Sequence, residues 1–162
     1  MVRSTGFTKL QERGIAALPF VSNQTMMTDH WVGIDNRAAG ATASLLLGQC
    51  IGQRSGSVMV IAESMQSRDS LERRLGFDAI MNESFPQLRP LPSLETYGNE
   101  ARARDVIAAN LANNPDIVGI YVMASEARAP LSVLQDLAVN PTIVKIAHEM
   151  TPIPKPHCVQ KN

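Results

Sequence analysis

Two runs, residues 58–62 (Val-Met-Val-Ile-Ala) and 117–122 (Ile-Val-Gly-Ile-Tyr-Val), contain no charged residue. A strand with one wet face alternates polar and apolar side chains, whereas an uninterrupted apolar run demands cover on both faces. Strands of that kind belong to parallel sheets, and each needs a crossover of a dozen or more residues to reach the next. The segments between the runs are long enough to supply helices.

Asp35 and Asn36 form a good N-cap pair for a helix in which Ala39, Ala43, Leu46, Leu47 and Cys50 recur at helical spacing, broken at 52–56 by glycines. After the 58–62 run comes a polar turn, then a helix that Ser67 or Asp69 caps. Its expected apolar stripe is Leu71, Leu75 and Met81, with Arg68, Arg73 and Arg74 directed elsewhere, and Pro86 ends it. Residues 88–97 form a weaker extended segment interrupted by Pro90 and Pro92. Asn99 and Glu100 open a helix with Ala103, Val106, Ile107 and Leu111 on one face. A helix over 130–139 carries Leu131, Leu134 and Leu137, and 143–147 is the last strand. Before the first cap pair, a helix end closed by Gly14 is expected, then a short buried strand over 15–21, a loop, and a strand at 31–34. The expected class is α/β, a three-layer parallel sheet with helices on both faces.

The chain has 162 residues, which suits one compact domain, and its 44% hydrophobic content is ordinary. Fifteen basic and fifteen acidic residues cancel, which leaves no electrostatic footprint of a nucleic-acid binder. Cys50 and Cys158 fit no metal spacing, and two free thiols in a reducing compartment are expected. No run is long enough to span a bilayer, and residues 1–14 show no apolar export segment. The expected location is therefore cytoplasmic, with no membrane partner.

GxGxxG, GxxxxGK[ST] and GxSxG patterns are all missing, and His30, His148 and His157 have no zinc spacing. Neither a cofactor, a metal nor an enzymatic activity is expected. A small α/β enzyme remains as a rival, to be revived by any turnover that needs Arg73 or Glu149. In parallel α/β sheets, ligands bind beyond the carboxyl ends of the strands. Those ends carry Asp35-Asn36, Glu63-Ser64, Tyr97, Ser125-Glu126 and His148-Glu149, all able to bind hydroxyls. His148 and Glu149 read either as an acid/base pair or as rim residues that fix a loop or touch a ligand. Arg73 reads either as a solvated helix charge or as a ligand contact.

Four segments together resemble a known family. RRLGF at 73–77, preceded by SRDSLE, resembles the Arg-x-x-Gly-Phe signature of the sugar-binding core in LacI-family regulators and type I periplasmic sugar-binding proteins. VGIDNRAAG at 32–40, IVGIYVMASE at 117–126 and VKIAHEMTP at 144–152 fall in the family's order and spacing. The His-Glu-x-Thr form of the last resembles a branch of LacI-type regulators. The resemblance covers about residues 8–152. It implies that 1–29 is the end of an N-terminal lobe and crossing segment, 30–150 a C-terminal lobe, and 151–162 a loose tail.

By the same resemblance, Arg73 donates to sugar hydroxyls, Glu149 takes the position of a ligand-binding aspartate, and Ser125 stands for an asparagine. Tyr97 packs on the sugar's apolar face. Ser64 is taken from the strand-end rim, and Asp35 reads first as a helix cap and crossing-strand anchor and second as a ligand group. The implied function is the effector-binding part of a LacI-type regulator, a homodimer sensing a sugar or polyol by lobe closure. It would touch DNA only through a helix-turn-helix that this chain does not contain. The alternative is a periplasmic sugar-binding protein of an ABC transporter.

Overall fold

The computed structural model describes residues 9–10, 12–18, 20–21, 32–124 and 127–148. They fall into two compact units, residues 1–35 and 36–162.

In the first unit Lys9, Leu10 and Glu12 are helical, and Gly14 turns the chain with a φ of 67°. Strand β1 (Phe20–Val21) pairs in parallel with β2 (Val32–Gly33), with Phe20 opposite Val32. The expected buried strand over 15–21 is corrected here. Among its described residues only Phe20 and Val21 form a strand, and Ile15, Leu18 and Phe20 are exposed, Phe20 at 75%.

The second unit is a sheet of five strands: β3 (Gly56–Ala62), β4 (Leu88–Pro90), β5 (Leu94–Glu95), β6 (Ile117–Val122) and β7 (Val144–Ala147). All pairings are parallel, in the order β4-β3-β6-β7, with β5 also on β3. The two uninterrupted apolar runs thus occupy the centre, and residues 58–62 are wholly buried. Pro90 and Pro92 explain why the neighbour of β3 comes in two pieces. A proline lacks the N–H that a ladder needs, so the pairing is carried between them by Leu91, whose N–H donates to Val58 O at 2.8 Å.

Helices α1 (Asn36–Ile51) and α2 (Arg68–Ser84) cover one face, burying Ala43, Leu47, Ile51, Phe77 and Met81 against Val58, Val60 and Tyr121. Helices α3 (Glu100–Asn113) and α4 (Arg128–Asp136) cover the other through Ala103, Ile107, Leu131, Val133 and Leu134. The three-layer α/β arrangement is as expected. Ser67 and Asn99 are the observed N-caps, each side chain accepting the N–H three residues on.

The packed faces of α1 and α2 differ from the expected stripes. Leu46 and Cys50 on α1, and Leu71 and Leu75 on α2, are exposed. The two helices instead meet through glycine and backbone. A Cβ on Gly40 would lie 1.9 Å from Arg73 O, and one on Gly76 would lie 1.9 Å from Arg37 O. Each helix lacks a side chain where the other's backbone approaches.

Candidate ligand-binding site

Arg73 lies in the second turn of α2, beside the Gly40–Gly76 contact that draws α1 close. It does not point into solvent away from the packed elements. Its Nε donates to Asn36 Oδ1 at 2.8 Å and its Nη1 donates to Met123 O at 3.3 Å. Asn36 is the first residue of α1 and only 2% exposed, while Met123 directly follows β6. Among the described residues these bonds engage two of the five N–H donors a guanidinium offers. They hold its plane at the carboxyl end of the central strands.

The rest of the Arg-x-x-Gly-Phe segment has equally specific work. Gly76 permits the helix approach, and Phe77 stacks on Tyr121 with ring centroids 4.5 Å apart and planes 17° from parallel. Tyr121, fully buried in β6, meets Nε2 of His148 through its hydroxyl at 2.5 Å. His148 is the residue immediately after β7. Burial drives the Tyr121 phenol far above its ordinary pKa, against the opposing pull of the Arg73 charge. Burial first, and the Arg73 charge second, push His148 down to about 4. Both rings are therefore neutral at pH 7.

Of the other expected site residues, Ser64 and Tyr97 lie just beyond the ends of β3 and β5. Ser64 follows β3 and its hydroxyl accepts the N–H of Gln66 at 3.1 Å, closing the turn. Tyr97 is half-exposed in a left-handed conformation, φ 51°, with its N–H donating to Glu63 O at 2.8 Å. A bulky residue there costs on the order of 1–3 kcal/mol. The Arg102 guanidinium lies 4.9 Å from the Tyr97 ring centroid, and Arg102 Nε donates to Glu95 O at 2.8 Å. Ser64 and Tyr97 are thus joined around Glu63, and Arg73 is joined to Asn36 and Met123. Asp35 is exposed at the end of the first unit. Ser125 and Glu149 lie outside the described residues.

Tyr121 and Arg102 are the members that the sequence reading missed. Tyr121 had a signal: it is the one residue of the 117–122 run with a polar tip, and a buried phenol needs a partner. Asn36 was read as a cap and as a polar strand-end group, not as the partner of Arg73.

Residues 4–155 match the model of a periplasmic binding protein domain. The chain belongs to that family. Among solved structures, this periplasmic-binding-protein chain is similar to an ABC transporter solute-binding protein from Burkholderia graminis in complex with D-arabinose. That likeness has 21% identity and a TM-score of 0.80, over 91% of this chain and 52% of the other. A solute-binding protein from Actinobacillus succinogenes with bound D-allose has 19% identity and a TM-score of 0.75, over 91% and 54%. A sugar ABC transporter binding protein from Bacillus halodurans has 20% and 0.76, over 90% and 50%. Comparison with curated proteins gives no match. The chain spans about half the length of these solved structures.

The rim of this periplasmic-binding-protein domain is a hydrogen-bonding surface. Arg73 and Tyr97 offer donors, the neutral His148 ring offers its second nitrogen, and the Ser64 hydroxyl both donates and accepts. Among the described residues no group of three or more His, Cys, Asp or Glu could hold a metal ion, and no helix is long and apolar enough to cross a membrane.

Proposed function

We propose that this chain contributes one lobe of a sugar-binding site, in a protein of the solute-binding type that serves ABC transporters. The observation that carries this is the likeness to sugar-bound solute-binding proteins over about nine-tenths of the chain. The chemistry agrees. Sugars are recognised by fixed polar side chains at the mouth of an apolar scaffold, and Arg73 is a donor held in one orientation by Asn36 and Met123 O. The role is binding rather than catalysis.

In the same proposal Arg73 is the principal ligand contact of this lobe. Tyr97, Ser64, Asp35, Ser125 and Glu149 are the further ligand contacts we propose from the family resemblance. Isotope-edited NMR of the chain during titration with D-arabinose, D-allose and D-tagatose tests the reading. A sugar-dependent shift of signals around Arg73 is expected, and no response to any sugar refutes it. Binding by this chain alone is expected to be weak, because only one lobe's contacts are present.

A second reading, the effector-binding part of a LacI-type regulator, rests on the His-Glu-x-Thr segment at 148–151. It would be a cytoplasmic homodimer that changes its DNA affinity when sugar closes the lobes. The two readings part in the coding sequence upstream of Met1. An export signal supports the transporter protein, and a helix-turn-helix supports the regulator.

A further inference from the structure

A neutral imidazole carries its proton on one nitrogen and accepts through the other, and the bond made by one fixes what the other presents. His148 is half-buried beside β6, with Nε2 2.5 Å from the Tyr121 hydroxyl. Tyr121 is fully buried and its ring is stacked on Phe77, so the ring has little freedom to turn away. A buried phenol must place its proton on an acceptor. The unprotonated imidazole nitrogen accepts it, and Nδ1 then carries the ring proton. The depressed pKa of His148 keeps this arrangement intact at pH 7.

Arg73 lies close enough to act electrostatically on both Tyr121 and His148. Its own bonds to Asn36 Oδ1 and Met123 O fix it at the same strand ends. The strand-end cluster therefore combines a fixed guanidinium with an imidazole whose tautomer is set from below.

We propose that Tyr121 locks His148 as the Nδ1–H tautomer, so that His148 is a further ligand-binding residue, donating beside Arg73 to an accepting oxygen of a neutral sugar. This rests on the sugar-binding reading above. Tyr121 itself acts through His148 and is a positioning residue. The pair favours a ligand oxygen with an open lone pair, such as a ring oxygen or hydroxyl, and disfavours an ammonium group at that place.

The test is NMR of the histidine ring nitrogens in the 15N-labelled chain at pH 7, without and with D-arabinose. The expected spectrum has a protonated Nδ1 and an unprotonated Nε2 on His148, with the Nδ1–H signal moving as sugar is added. Tyr121→Phe should release the tautomer and weaken binding several-fold. His148→Asn, whose amide nitrogen falls near the Nδ1 position, should retain more affinity than His148→Gln, whose amide falls nearer Nε2.

A protonated Nε2 in the sugar-free spectrum overturns the inference whether or not sugar binds, and it needs no variant to fold. Sugar-dependent shifts at Arg73 with an unmoved His148 ring overturn it while leaving the sugar-binding reading standing. No response to sugar anywhere removes that reading and the ligand role together.

Discussion

Arg73 on α2 donates its Nε–H to the side-chain oxygen of Asn36 on α1, 2.8 Å away, and Asn36 is almost entirely buried. The bond ties the start of one helix to the second turn of the next. It also fixes the arginine that carries the functional proposal. Removing the acceptor strands a partly buried guanidinium donor, which costs about 1–3 kcal/mol. Asn36→Ala should therefore lower the unfolding free energy by that amount, seen by circular dichroism as a lower urea midpoint with an unchanged m-value.

The reciprocal glycines predict a clear ranking. A methyl group at Gly40 or Gly76 meets backbone of the facing helix, which cannot rotate away as a side chain can. Gly40→Ala and Gly76→Ala should each cost at least the 1–3 kcal/mol typical of overpacking. Gly52 has φ 69° and open space around it, so Gly52→Ala meets only the left-handed penalty of about 1–2 kcal/mol. Thermal unfolding of the three variants checks the order.

This contact also shows what was legible in the sequence. The sheet could be read because runs such as 58–62 and 117–122 carry their burial in their hydropathy. The packed faces of α1 and α2 could not. Their closest contact is made by Gly40, Gly76 and main chain, which carry no apolar signal, while Leu71 and Leu75 carry a strong one and are exposed. Arg73 could be singled out only through a family resemblance, because an arginine on a helix looks the same whether solvated or held. That Asn36 anchors it was hidden, because a cap and strand-end role already accounted for that residue. The apolar character of residues 15–21 was visible, but hydropathy alone does not bury a segment, and Ile15, Leu18 and Phe20 are exposed.

His148 makes stability depend on pH in a defined window. Its folded pKa of about 4 lies below the ordinary 6.5, so below pH 6.5 the unfolded chain takes up a proton that the folded chain refuses. The stabilisation is fully present above 6.5, is lost as pH falls toward 4, and is gone below that. Urea midpoints at several pH values between 7 and 4 should decline more steeply for the wild-type chain than for His148→Asn.

The Phe77–Tyr121 stack is the support beneath that histidine. Phe77→Ala should cost about 3–5 kcal/mol as a large core truncation. Phe77→Leu, which keeps most of the volume, should cost less, and near-ultraviolet circular dichroism should report a change in the Tyr121 environment in both.

The central claim is that Arg73 binds sugar in this lobe. The most direct measurement is an NMR titration of the chain and of Arg73→Ala with D-arabinose. Losing one charged hydrogen bond of roughly 2–3 kcal/mol corresponds to on the order of a hundredfold in affinity. Saturable shifts are expected at Asn36, Arg73, Met123 and His148 in the chain, and none at the same sugar concentrations in Arg73→Ala. Equal affinity in the two proteins, with both still folded, would contradict it.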